Sequence, residues 1–395
     1  MKLGHGLHLG YCTNIHRGET WAETFDSLRN YTLAVRERVC PGKPYGIGLR
    51  LSNQAAVELN DRTRLLEFQR WLGQNHCYVF TINGFPYGAF HGTRIKEQVY
   101  LPDWTSARRV HYTNLLFDLL AQLLPGDVEG SVSTVPCGFK DLITTHEEMQ
   151  IVRDNIWCCI QHVARLSAQT GRQLHLGLEP EPMCVLETSG EVTPFFERMR
   201  AEHPKDPRVD AHLGINYDTC HLAIEFEEPR NAMGWIHRHG IKLSKIHLSS
   251  ALRVRASSAA RDALRSYADD VYFHQVVIRR PDGGCVIYRD LGDALAREPL
   301  CLDNDPALLP EWRIHFHVPL HSPPTDLFDN TTDHILGVMD IIQAEPNLCS
   351  HLEMETYTWE VLPQELKSRN VVDQLVAEYD WTLARLAERE LCARQ

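Results

Sequence analysis

Long apolar runs are missing from this chain. None of its 395 residues belongs to an apolar run approaching the roughly 18 needed to cross a bilayer. The opening MKLGHGLHLGYCTN has neither the charged start nor the long apolar middle and small-residue cleavage site of a signal peptide. These absences predict a cytoplasmic protein with no membrane span. Basic charge is scarce as well: Lys plus Arg total 40 against 52 for Asp plus Glu, a formal net charge of −12, and no long basic block interrupts that background. A nucleic-acid partner, whose phosphates are neutralised by a basic surface, is not expected. The twelve cysteines are scattered, several inside apolar runs, with an adjacent pair at Cys158 and Cys159 and no Cys-x-x-Cys. Buried reduced thiols fit that usage better than a disulfide framework or a thiolate zinc site.

What is present is regular. At 43% hydrophobic and 23% charged residues the composition is that of a globular protein able to bury a large core. Short apolar runs bounded by turn chemistry occur at 8–14, 45–51, 77–84, 130–136, 174–180, 213–221, 241–250 and 351–359. Between them lie helical patterns with apolar residues three or four apart, such as Leu65, Phe68 and Leu72, or Ile156, Ile160 and Val163. Eight strand–helix alternations favour a parallel sheet, because a parallel crossover needs a dozen or more residues and usually contains a helix. The fold class predicted is α/β, a single (β/α)8 barrel over 1–395.

One stretch breaks the alternation. Residues 252–329 far exceed an ordinary βα loop, and inside them VYFHQVVIRR, the turn PDGG and CVIYRDL read as a β-hairpin, with EWRIHFHVPLH as a further extended run. No linker-like composition marks the edges, so the stretch is read as an insertion between strands seven and eight.

In such a barrel the site sits at the C-terminal ends of the strands. Strand five ends in Leu178-Glu179-Pro180-Glu181, strand six in Asp218 and His221, strand seven in His247, and strand eight in Glu353-Met354-Glu355. Period two puts Glu353 and Glu355 on one face of their strand, and likewise Glu179 and Glu181, leaving open which of each pair faces the site. Singly, each residue has an ordinary structural reading; an Asp at the end of an apolar run, like Asp218, is commonly a cap. Several carboxylates crowded together would repel and take up protons, so a cation among them is the economical explanation. Oxygen-rich ligation with one or two imidazoles suits Mn²⁺, Mg²⁺, Co²⁺ or Fe²⁺, and more imidazoles favour Zn²⁺. Within the insertion, His315 and His317 alternate and His274 precedes them; His274 and His317, with His221, are candidates for a further metal site. His16 with Asn14 after strand one, and Asn83, Tyr87 and His91 after strand three, are candidate pocket residues.

The ordered set Leu178-Glu179-Pro180, Asp218-x-x-His221, Ile246-His247-Leu248-Ser249 and Glu355-Thr356-Tyr357 resembles the xylose-isomerase-like TIM barrels, which include sugar isomerases, ketose 3-epimerases and endonuclease-IV-type enzymes. The resemblance implies metal ligation by Glu179, Asp218, His247 and Glu355, the two glutamates also serving as acid and base. It implies substrate contacts from His221 and from Arg253, six residues beyond His247. More narrowly, HLGYCTNIHRGETW, NGFPYGAFHG, LEPEP, HFHVPL and HLEMETYTW resemble the EboE barrel proteins of the ebo gene cluster, described as metabolite traffic proteins, which implies a functional link to other ebo-cluster proteins.

Three function classes follow. The first is a metal-dependent isomerase or epimerase acting on a small polyhydroxylated or carbonyl-bearing metabolite. A two- or three-metal phosphoesterase or other hydrolase is the second, and a non-catalytic metabolite-binding protein the third.

Overall fold

The computed structural model describes residues 1–89, 96–268, 271–301, 305, 308–362, 367 and 370–392. Strands β1 (His8–Tyr11), β2 (Tyr45–Arg50), β3 (Cys77–Asn83), β4 (Gly130–Thr134), β5 (Leu174–Leu178), β6 (Leu213–Asp218) and β7 (Lys242–Leu248) are followed by β8 (Ser250–Arg255), β9 (Val276–Arg279), β10 (Cys285–Tyr288), β11 (Glu311–Val318) and β12 (Asp329–Asn330), then β13 (His351–Met354). Eight of them run parallel in the order β1-β13-β7-β6-β5-β4-β3-β2, and a parallel bridge between Cys12 and Gly48 joins β1 to β2, so that the sheet closes on itself. The chain is thus a (β/α)8 barrel, with helices covering the outer face of strands that are buried on both sides.

The local signals act as their chemistry requires. Thr145 and Glu148 form a reciprocal capping box at the start of the helix His146–Thr170, whose Val152, Ile156, Ile160 and Val163 are buried, and Gly171 ends it at φ 68°. The barrel interior is more polar than usual. Thr81 and Ser131 share a hydrogen bond of 2.7 Å, Ser131 meets His351 Nδ1 at 2.8 Å, and His175 Nδ1 meets Ser244 at 2.5 Å.

The residues between β7 and β13 form a second, antiparallel sheet in the order β10-β9-β11-β8-β12. It begins at Ser250, and β9 and β10 pair as a hairpin with Cys285 opposite Arg279. Leu252, Val254, Leu264, Val276, Ile278, Trp312, Ile314 and Phe316 give it a core of its own. A small cluster of Cys220, Ile224, Ala251 and Val277 packs the sheet onto the short helix Thr219–Ile224 that follows β6, and Arg313 donates to the Ala223 carbonyl at 2.6 Å. Between Ile314 and His317 the pairing of β11 with β8 is interrupted by a bulge, while on its other side the His315 N–H continues the ladder with β9 by donating to the Gln275 carbonyl. His315 and His317 are both buried.

All twelve cysteines are free thiols. Among the described residues no helix is long and apolar enough to cross a membrane.

Candidate metal centre

Four barrel strands deliver Glu179, Asp218, His247 and Glu355 to one point: a ligand atom from each lies within 4.8 Å of the other three. Register explains the convergence, since His247 is paired with Asp218 on β6 and with Glu353 on β13. Nδ1 of His247 stands 3.0 Å from Glu179 Oε1, 3.1 Å from Glu355 Oε2 and 3.4 Å from Asp218 Oδ2. All four residues are buried.

Each carboxylate divides its work between its two oxygens. Asp218 does cap a helix: Oδ1 accepts from the N–H groups of Cys220 and His221 at 2.7 and 3.1 Å and from Ser249 Oγ at 2.5 Å. Its Oδ2, fully buried, has no hydrogen-bond partner. Glu179 repeats the pattern, Oε1 facing His247 and a buried Oε2 without a partner. Oε1 of Glu355 accepts from Asn14 Nδ2 at 2.8 Å and Asn83 Nδ2 at 3.1 Å, which fixes the carboxylate and leaves Oε2 toward the cluster.

The neighbouring glutamates are placed differently. Glu353 receives the Lys245 ammonium at 2.6 Å and His247 Nε2 at 2.7 Å, and so holds the imidazole from behind. Burial opposes its charge, but Lys245 and His247 outweigh it and keep the carboxyl at about 2. Being ionised, Glu353 can only accept, so Nε2 carries a proton and Nδ1 is the nitrogen that faces the cluster. Burial likewise works against a charge on His247, yet Glu355 and Glu179 hold its pKa well above the ordinary value. A divalent cation among these oxygens would take the place of that proton. Glu181 accepts instead from Tyr100 Oη at 2.8 Å, and burial raises its carboxyl to about 7.

A second group of imidazoles adjoins the first. His221 donates Nδ1–H to the Pro180 carbonyl at 2.9 Å and His317 donates Nδ1–H to the Glu355 carbonyl at 2.9 Å. His315 donates Nδ1–H to Gln275 Oε1 at 2.8 Å, that amide being oriented by its own donation to the Pro182 carbonyl. In the neutral rings all three Nε2 atoms are therefore lone pairs. Those of His221 and His315 are only 3.1 Å apart, and that of His317 is buried without a partner. One proton suffices between the first two: against burial, Asp218 and Glu181 raise His221, while burial and His221 push His315 well down. Asp218, His221 and His317 form a second set close enough to share a cation, with Asp218 common to both sets.

The structure does not bring three expected residues to this point. Arg253, on β8 of the second sheet, is held by Asp329 at 2.7 Å and Asp333 at 2.9 Å. His16 meets Tyr11 Oη at 2.8 Å and stacks on Tyr31. His274 donates Nδ1–H to the His315 carbonyl at 2.8 Å and packs its ring against Phe316. Tyr87 packs on Tyr112, and His91 lies outside the described residues. Conversely, Lys245 was not singled out by the sequence, although it lies two residues before His247 and hence on the same face of β7. A cavity of about 60 Å³ adjoins Glu179 and Glu355, and the inserted segment supplies part of its wall through Tyr272 and Phe273, which precede β9, and His315 on β11.

No protein-family model and no curated protein matches this chain. Solved structures do. An L-ribulose 3-epimerase superposes with a TM-score of 0.53 at 12% identity, covering 97% of this chain and 95% of its own. A D-tagatose 3-epimerase-like protein gives 0.51 at 10% identity, covering 97% and 98%. The D-psicose 3-epimerase of Clostridium cellulolyticum H10 with D-tagatose gives 0.50 at 10% identity, covering 96% and 98%. At such identities the likeness is one of fold, and in fold this chain is a (β/α)8 barrel of the architecture these 3-epimerases share.

Proposed function

We propose that the chain is a metal-dependent isomerase or epimerase acting on a small metabolite that carries a carbonyl beside a hydroxyl-bearing carbon. The observation that carries this reading is the meeting of three carboxylates and one imidazole within 4.8 Å, with Glu179 Oε2 and Asp218 Oδ2 buried and lacking hydrogen-bond partners. Glu179, Asp218, His247 and Glu355 would hold a divalent cation, which when bound polarises the carbonyl and hydroxyl of a ligand. Glu179 takes the proton from the carbon on Oε2, the oxygen no neighbour occupies. Glu355, anchored by Asn14 and Asn83, would act as the acid on the opposite face: it takes a proton from solvent before turnover, returns it to the carbon, and exchange of both carboxyls with solvent resets Glu179 and Glu355. His221, with Nδ1–H committed to Pro180, offers Nε2 to a substrate oxygen. The EboE-like stretches support a narrower context, a protein working beside other products of an ebo cluster.

The test is solvent deuterium exchange. Incubated in D₂O with Mn²⁺ and a panel of α-hydroxy ketones running from ketoses to 2-hydroxyacetophenone, the protein is expected to label the carbon next to the carbonyl. Glu179→Gln and Glu355→Gln are each expected to slow labelling by about 10²–10⁴-fold. Failure to bind any divalent cation, or labelling unaffected by both substitutions, overturns the reading.

A two-metal hydrolase is the second reading, favoured by the three Nε2 lone pairs of His221, His315 and His317 beside Asp218. Metal stoichiometry separates the two, one tightly held ion per chain supporting proton transfer and two or three supporting hydrolysis.

A further inference from the structure

Resting on the metal-centre reading, we propose that the ligand is an amphiphilic small molecule rather than a free sugar, with adjacent oxygen donors at one end and a planar apolar ring as its body. The cavity beside Glu179 and Glu355 has two chemically distinct parts. One end carries the carboxylates and imidazoles; among the described residues the rest is lined by Phe85, Val99, Tyr100, Tyr272, Phe273 and Tyr357, with Pro86 and Lys96 beside them. The cavity is about 60 Å³, and these rings border it directly.

The rings are held in place before any ligand arrives. Phe85 meets Tyr100 edge-on at 6.0 Å, Tyr272 meets Tyr357 edge-on at 5.4 Å, and Phe139 backs Phe273 in a stacked arrangement at 6.1 Å. Polar atoms on this wall are already engaged. Tyr100 Oη donates to Glu181 and accepts from Gln275 Nε2, both at 2.8 Å, and the Lys96 ammonium is paired with Asp290. A sugar bearing hydroxyls along its whole length would turn several of them toward these rings, giving up hydrogen bonds to water without replacement. A planar apolar ring gains contact area there at no such loss, while its oxygen donors stay at the carboxylate end.

Calorimetric titration of the Mn²⁺-loaded full-length protein with benzohydroxamate, acetohydroxamate and D-fructose tests this. The two hydroxamates carry the same chelating end and differ in the ring. Benzohydroxamate is expected to bind at least ~10-fold more tightly than acetohydroxamate, with D-fructose the weakest of the three. Phe273→Ala and Tyr272→Ala are each expected to narrow the gap between the hydroxamates. Equal affinities, tighter binding of D-fructose, or a gap that neither substitution narrows overturns the inference and leaves the metal centre standing. Binding of neither hydroxamate by protein that has taken up Mn²⁺ overturns both.

Discussion

His247 and Glu353 face each other across neighbouring parallel strands, Nε2 to Oε2 at 2.7 Å, and the same carboxylate oxygen receives Lys245 at 2.6 Å. This pairing fixes the tautomer and the ring plane of the one imidazole in the four-residue cluster. Glu353→Gln keeps the shape but removes the charge that enforces the tautomer. Metal affinity is expected to fall by about 10–100-fold, read by competition with a fluorescent chelator, while the far-ultraviolet dichroism stays that of the wild type.

Gly48 is where β2 passes this pair. A Cβ at that position would stand 1.8 Å from Glu353 Oε1 and 2.8 Å from the Tyr11 carbonyl. Gly48→Ala therefore displaces Glu353 or opens the barrel seam at Cys12, and is expected to cost about 1–3 kcal/mol or more in a denaturant titration. Pairing it with Glu353→Ala, which removes the clashing atom, is expected to cost less than the sum of the two single substitutions.

Two buried groups make opposite contributions to the pH dependence of stability. Burial, with Arg313 nearby, lowers His334 to about 4, so the folded protein keeps it neutral. Its contribution is complete above the unfolded value of roughly 6.5 and is lost as pH falls toward 4, about 3 kcal/mol in all. Burial raises Glu378 to about 7 despite its hydrogen bonds to Thr356 and Leu320. That contribution is complete below the unfolded carboxyl value and is lost as pH rises through 7, again by about 3 kcal/mol. Measured between pH 4 and 8, the stability of wild type relative to His334→Gln is expected to increase with pH, and relative to Glu378→Gln to decrease.

Arg253 is tied to Asp329 and Asp333, whose side chains are 43% and 64% exposed. Pairs of that kind contribute about 0–1 kcal/mol. Arg253→Ala is expected to leave metal affinity and deuterium exchange at wild-type levels, with a midpoint change in denaturant no larger than that range. A loss of turnover with unchanged stability would return Arg253 to the substrate.

The bed of strands was legible because its signals are local. Each barrel strand begins within a residue of an apolar run bounded by turn chemistry, and helices such as His146–Thr170 carry their own apolar stripe and cap. Strand ends also pointed to Glu179, Asp218, His247 and Glu355, since a (β/α)8 barrel presents those ends together. Period two could go no further: it puts Glu353 and Glu355 on the same face, and only depth in the barrel separates the residue beside Lys245 from the one beside Asn14 and Asn83. His16 and His274 were drawn in by nearness in the sequence to a strand end or to other histidines, and Arg253 by the family resemblance; in the structure Arg253 is held by Asp329 and Asp333, some eighty residues on. The bulge in β11 depends on its pairing with β8, some sixty residues earlier.

By itself, then, the order of the amino acids determined the alternation of strand and helix, the barrel that follows from it, and the rim on which the ionisable groups gather, because hydrophobic period and turn chemistry act over a few residues. Tertiary structure alone decided which carboxylate oxygens are left without partners, which imidazole nitrogens keep a lone pair, and that barrel loops and the inserted segment together line the cavity with aromatic rings. Those outcomes depend on register and contact between residues far apart in the chain, which no local pattern encodes.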